Sequence, residues 1–135
     1  MLIAVAPETI DVLAGALAAP DRTIRRAVTW ADALRHLDEP PHLIVGGIYF
    51  DNGRFFDLLK RAKETAATQC APFIAVRAMT QLTDRLSNAA LELAILALGG
   101  ARYLDYASAA QRGGADMANE AVRRAIDAQI ASLSS

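Results

Sequence analysis

Apolar residues fall along this chain in short continuous runs that alternate with longer segments of helical spacing. Leu2, Ile3, Ala4 and Val5 form an unbroken apolar run near the start, the pattern of a strand buried on both faces. Pro7 ends that run and suits the first position of a helix. Ile10, Leu13, Ala14 and Leu17 then recur at helical spacing, which predicts a helix over 8–19 that stops at Pro20. Residues 23–28 read as a second, shorter strand, and Arg25 and Arg26 place it near the sheet edge. Thr29 and Asp32 have the spacing of a capping box. Trp30, Ala33, Leu34 and Leu37 continue a short helix, which Glu39, Pro40 and Pro41 stop.

His42 to Tyr49 read as the central strand, and Asp51, Asn52 and Gly53 carry turn chemistry. Phe55, Phe56, Leu58, Leu59 and Ala62 predict a helix that runs to about Gln69. Residues 72–76 make a fourth strand, and a long helix follows over 82–98, closed by Gly99 and Gly100. Residues 102–107 read as the fifth strand and 108–114 as loop. Val122, Ala125, Ile126, Ile130 and Leu133 mark a final amphipathic helix. Strand and helix thus alternate five times, which implies α/β architecture with a parallel sheet covered on both sides. Right-handed crossovers permit a doubly wound sheet, whose site is expected at the carboxyl ends of the strands. Residues 1–135 read as a single domain without linker, repeat or low-complexity segment.

Composition narrows the chemistry. A chain of 135 residues, 53% apolar and 21% charged, can bury a core and is not disordered in type. A net charge of −1 gives no electrostatic bias towards nucleic acid or an anionic membrane, and no basic helix or helix-turn-helix pattern appears. The Arg25–Arg26 and Arg123–Arg124 clusters read as solvated faces. Cys70 is the single cysteine, so no internal disulfide can form, which fits a reducing compartment. No apolar run reaches the roughly 18 residues of a membrane-spanning helix. The apolar start lacks a basic region and is interrupted by Glu8 and Asp11, so it does not read as a signal peptide. A cytoplasmic protein is expected.

Side chains that could carry a reaction are sparse. His36, His42 and Cys70 do not make a structural zinc set. Cys70 reads as a buried or half-buried small residue with no adjacent base. Thr80, Ser87 and Ser108 fit no nucleophile elbow, and the pairs Asp84/Glu92 and Asp11/Asp57 lack acid/base spacing. Ala6-Pro7-Glu8-Thr9 is neither a P-loop nor a dinucleotide fingerprint.

The stretch Leu43-Ile44-Val45-Gly46-Gly47, continuing to Leu58-Leu59, resembles the middle of a response-regulator receiver domain. Pro72-Phe73-Ile74-Ala75-Val76 is similar to that family's fourth strand, and Gly99-Gly100-Ala101-Arg102-Tyr103-Leu104 to its fifth. The resemblance covers most of the chain and implies a three-layer flavodoxin-like (βα)5 fold with strand order 2-1-3-4-5. The segment leading through the helix between the fourth and fifth strands is several residues longer than the family norm.

Receiver chemistry uses an acidic pair after the first strand to hold Mg²⁺ and an aspartate after the third strand to take the phosphoryl group. A hydroxyl after the fourth strand and a lysine after the fifth read the phosphoryl charge. Here those places are Ala6-Pro7 with only Glu8 nearby, Gly47, Arg77 followed by Ala78, and Tyr106 followed by Ala107. The comparison implies no catalytic residue, no metal and no cofactor. Asp51 lies four residues past Gly47, and with Asn52 it reads as shaping the turn rather than as a relocated acceptor. Arg77 either replaces the metal's charge by pairing with Glu8 or Asp51, or receives an anion above Gly46 and Gly47, whose missing side chains let a ligand approach the backbone.

The 82–98 helix has nearly two apolar stripes where a sheet-covering helix needs one. Leu82, Leu86, Ala89, Ala90, Leu93 and Ala97 form the first; Leu91, Ile95 and Leu98 form the second. The second, with Tyr103, serves either as core in a thicker packing or as a protein interface. Receiver domains commonly associate through this helix, the fifth strand and the last helix, which implies a protein partner such as a second copy. The expectation is a non-catalytic, phosphorylation-independent, receiver-like interaction module of a bacterial regulatory pathway. The alternative is a sensor of a small anion or nucleotide at Gly47 and Arg77. A flavodoxin-like enzyme would need a convergent polar cluster that the sequence does not offer.

Overall fold

The structure, a computed structural model, describes residues 1–79 and 87–133. Five parallel strands form one sheet: β1 (Leu2–Ala4), β2 (Arg25–Ala27), β3 (Ile44–Gly47), β4 (Phe73–Val76) and β5 (Arg102–Leu104), in the order β2-β1-β3-β4-β5. This is the flavodoxin-like topology. β1 lies between β2 and β3, pairing Ile3 with Arg26 on one side and with Val45 on the other. The helices are α1 (Pro7–Leu17), α2 (Trp30–Asp38), α3 (Phe55–Glu64), α4 (Asn88–Ala97), α5 (Tyr106–Gly113) and α6 (Ala115–Leu133).

The continuous apolar runs are explained by a core on each face of the sheet. Alternate residues of one strand point to opposite faces. Leu2, Ala4, Ile44, Phe73 and Ala75 therefore pack against α2, α3 and α4, through side chains such as Leu37, Leu59 and Ile95. Ile3, Val5, Val45, Ile74 and Val76 pack against α1 and α6, through Leu13, Leu17, Val122 and Ile126. Both sets are fully buried, so neither face of the central strands reads as polar. Beyond the ladders, Val5 N donates to Ala27 O (3.2 Å), Ile48 N to Val76 O (3.1 Å) and Arg77 N to Leu104 O (2.8 Å). The first residues after β1, β3 and β4 are held in line at the carboxyl edge by these bonds.

Caps set several boundaries. Thr29 Oγ1 accepts from Asp32 N at 3.2 Å, the forward arm of the expected capping box. Gly99 has φ +96° and closes α4, with Gly100 N donating back to Ile95 O at 2.8 Å. α3 ends at Glu64, short of the expected Gln69, because Thr65 starts a turn in which its carbonyl accepts from both Thr68 N and Gln69 N. The strands are shorter than the apolar runs: β3 is Ile44–Gly47 within the expected 42–49.

One element differs in kind. The expected end of the fifth strand and the 108–114 loop are instead α5, and α6 begins at Ala115. Asp105 caps α5, its side chain accepting from Ser108 N (3.1 Å) and Ser108 Oγ (2.6 Å). That Asp-x-x-Ser cap turns the chain out of the sheet at once. The expected start of the fourth helix at 82, with Leu82 and Leu86, lies outside the described residues.

Candidate functional site

The carboxyl edge of the sheet is where this topology places ligands. An open groove of about 660 Å³ lies there, between the ends of β1 and β3 and the start of α2. Ala6, Pro7 and Glu8 from the start of α1 line it, with Thr29, Tyr49 and Asp51 on the other sides. Glu8 is exposed. Thr9 Oγ1 donates to Ala6 O at 3.1 Å, which fixes the first turn of α1 beneath the groove.

Gly46 and Gly47 end β3 with their missing side chains aimed at opposite core faces. A Cβ at Gly46 would lie 2.7 Å from the Phe73 ring and 3.2 Å from Phe55. At Gly47 it would lie 3.0 Å from Val5 Cβ and Cγ1. Core side chains thus crowd the place a Cβ would take at both positions. Gly47 lines only a small hollow of about 10 Å³ at the surface.

The loop after β3 is built from left-handed backbone. Asp51, Asn52 and Gly53 have φ of 39°, 56° and 89°, a run that Asp and Asn tolerate better than most residues. It folds over the buried Phe50, whose carbonyl accepts from Gly53 N (3.1 Å) and Arg54 N (2.9 Å). Asp51 does more than shape this turn. Its Oδ2 accepts from Trp30 N at 2.6 Å, so the loop supplies a carboxylate to the N-terminus of α2, where negative charge is favoured. The Trp30 ring lies under the Arg54 guanidinium, 4.6 Å from its centroid, with Arg61 5.8 Å away. Asp51 and Arg54 thus grip Trp30 at its backbone and its ring.

Arg77 stands at the end of β4, buried to 7% exposure, and its side chain lies on the α4–β5 side of the sheet end. Its Nη1 donates to Asn88 Oδ1 at 3.0 Å. Tyr103 Oη donates to the same oxygen at 2.5 Å, and Asn88 Nδ2 donates to Asp105 Oδ2 at 2.6 Å. Burial would raise the Asp105 pKa, but hydrogen bonds from Ser108 and Asn88 and the Arg77 charge outweigh it and hold the carboxyl below its ordinary value. Burial raises the Tyr103 hydroxyl, against the opposing pull of Arg77. An ion pair of Arg77 with Glu8 or Asp51 is absent among the described residues, and Arg77 is not among the described residues that line the groove.

Other sequence-predicted residues also move. Tyr106 opens α5 and is buried against the α1–α6 core, with its hydroxyl donating to Asn119 Oδ1 at 2.6 Å. It turns away from the mouth. The groove thus brings together Ala6, Pro7, Glu8 and Asp51, while Arg77 and Tyr106 belong to neighbouring packing. Among the described residues, no group of three His, Cys, Asp or Glu side chains could hold a metal ion. Cys70 is exposed rather than half-buried.

The two stripes of α4 are exchanged relative to expectation. Leu91 and Ile95 are core, at 2% and 0% exposure, and Leu98 and Tyr103 pack in the same cluster. Leu91 and Ile95, so placed, leave no surface for a partner, while Leu98 is half-buried. The helix instead turns Leu93 (73% exposed) and Leu96 (49%) outward, beside exposed Ala89, Ala90 and Ala97. Glu92 is the only charged residue on α4. Asn88 and the Asp51–Trp30 contact were not foreseen. The Asp105-x-x-Ser108 spacing is a sequence signal that would have revealed α5.

No family model matches the chain, and no curated protein matches it. Solved structures do. The chain is similar to a structure assigned as a response regulator of Chloroflexus aurantiacus J-10-fl, at 20% identity and a TM-score of 0.61, over 77% of this chain and 81% of that one. It is also similar to the N-terminal domain of a response regulator receiver protein from Methanoculleus marisnigri JR1, at 20% identity and a TM-score of 0.59, with coverage of 77% and 81%. At that identity the likeness carries the fold. Among the described residues no helix is long and apolar enough to cross a membrane.

Proposed function

We propose that this chain is a non-enzymatic, phosphorylation-independent, receiver-like module that acts through protein contact in a regulatory pathway of the bacterial cytoplasm. The observation that carries the reading is the end of β3. Gly47 stands where the receiver resemblance puts the phosphoacceptor, so there is no side chain to take a phosphoryl group, and a Cβ there would press on Val5 at 3.0 Å. Around it, the carboxylates of the groove are Glu8, exposed on α1, and Asp51, committed to Trp30 N. A phosphoryl group with its Mg²⁺ needs several oxygen donors converging on one point. The groove supports no such convergence among its described lining residues.

The surface that remains for function is the outward side of α4. Leu93 and Leu96 project from an alanine-rich helix that lets a partner backbone come close. A second copy is the partner proposed, since an isologous pair is the commonest symmetric solution. Size-exclusion chromatography with light scattering tests this on wild type and Leu93→Glu, each with and without an acyl-phosphate donor and Mg²⁺. Loss of a buried leucine is worth about 1.5–3 kcal/mol and an isologous pair loses two, so Leu93→Glu should raise the dimer dissociation constant by about a hundredfold or more. The donor should change nothing. A wild type that associates only when the donor is added overturns the proposal.

The groove favours a second reading, a small-ligand sensor, because about 660 Å³ is room for a nucleotide-sized molecule. Its described lining includes Glu8 and Asp51 and no cationic residue, which disfavours an anion. A thermal-shift screen on wild type and Glu8→Ala separates the readings: a ligand that stabilises wild type more than the variant supports the groove as its site, and one that stabilises both equally removes the case for it.

A further inference from the structure

Asn88 opens α4, and its side-chain amide meets three elements at once. Its oxygen accepts from Arg77 at the end of β4 (3.0 Å) and from Tyr103 in β5 (2.5 Å). Its nitrogen donates to Asp105, the cap of α5 (2.6 Å). The surroundings fix the amide's orientation, because a carboxylate cannot face the oxygen and two donors cannot face the nitrogen. Asp105 meanwhile accepts from Ser108 N and Oγ, so one carboxylate serves the starts of both helices. Arg77 is buried, while Asn88 and its bond to Asp105 are exposed, so this chain of hydrogen bonds runs from the core to the surface where both helices start.

We propose that Asn88 and Asp105 form a latch that makes the first turns of α4 and α5 one cooperative unit, holding the outward face of α4 in a single position whatever occurs in the groove beside Gly47. This rests on the reading of the α4 face as the contact surface and names its regulation: the face is presented constitutively. The latch has a charge code. Asn88→Asp would set two carboxylates against each other at the 2.6 Å contact. The further change Asp105→Asn would restore the bond between the two positions with its direction reversed. The carboxylate now at position 88 would still accept from Arg77 and Tyr103, and the amide now at position 105 could donate to it while its oxygen accepts from Ser108 N, the Ser108 hydroxyl then accepting from the amide instead of donating.

Native-state amide hydrogen exchange on the free protein tests the latch without any partner, so its failure is distinct from a failure of self-association. The reporters are Ala90 and Leu91 for α4, and Ser108 and Ala109 for α5; Ile3 and Val45 serve as controls. Losing this solvent-exposed hydrogen bond to a charged group speeds opening about three- to tenfold. Asn88→Asp should accelerate both reporter pairs by that factor and leave the controls unchanged. The double change should return both to within about twofold of wild type. Acceleration of α4 alone overturns the proposal. So does a double variant that exchanges as fast as Asn88→Asp. Should Asn88→Asp fail to fold, the double variant decides: wild-type exchange supports the latch, and failure to fold refutes the charge code.

Discussion

Gly47→Ala is the smallest perturbation that probes the closed end of β3. The added methyl would meet Val5 Cβ and Cγ1 at 3.0 Å and Val5 Cα at 3.2 Å. Val5 is fully buried, so it cannot swing into solvent, and its neighbours in the core layer against α1 and α6 must shift. Overpacking of this kind costs about 1–3 kcal/mol. The unfolded chain loses freedom on the same change, which returns about 0.4–1 kcal/mol. The net expectation is a loss of up to about 2.6 kcal/mol, near 1.3 at mid-range. Urea denaturation reads it as a lower midpoint at unchanged slope. Val5→Ala should by itself cost about 1–3 kcal/mol, because it leaves a void. In that background Gly47→Ala should cost less than with Val5 intact without becoming neutral, since the contact with Cγ1 is gone while those with Cβ and Cα remain. A Gly47→Ala protein as stable as wild type with Val5 intact, or equal losses in both backgrounds, would refute the idea that Val5 fills the acceptor's place.

Gly46→Ala should cost more than Gly47→Ala in the same titration, since its methyl would lie 2.7 Å from the Phe73 ring, a rigid group wedged against Phe55. Ile95→Glu should unfold the domain rather than dissociate a complex, because Ile95 is core, whereas Leu93→Glu should leave circular dichroism and melting temperature near wild type. Asp51→Ala should cost about 0.5–2 kcal/mol in chemical denaturation through loss of the carboxylate on Trp30 N, with Asp51→Asn retaining part of it. Asp105 has a folded pKa below its ordinary 3.8, so its contribution is present above that value and is lost as pH falls from there through the folded pKa. Stability measured against pH should therefore drop less steeply below about 3.8 in Asp105→Asn than in wild type.

The fold was legible because its signals are local. Unbroken apolar runs at Leu2–Ala4, Ile44–Val45 and Phe73–Val76 mark strands buried on both faces, and Gly99 and the Thr29–Asp32 pair mark helix ends. The site was legible only as a set of replacements. Where those side chains point depends on tertiary geometry: Arg77 and Tyr106 sit at the expected chain positions but turn into neighbouring packing. The α4 stripes were exchanged because almost every position of that helix is apolar, and periodicity cannot choose between two adequate faces. α5 was read as loop because it spans only 8 residues, too few for a periodic signal to stand out. The roles of Asn88 and Asp51 rest on contacts 11 to 21 residues distant in sequence, which no local pattern encodes.

The central claim is that this edge of the sheet no longer takes up phosphate, and intact-mass spectrometry reads that directly. Wild-type protein is incubated with an excess of an acyl-phosphate donor and Mg²⁺, then weighed. An unchanged mass is the predicted result. A stoichiometric phosphoryl adduct, labile to hydroxylamine and mapping to Glu8 or Asp51, would contradict the account.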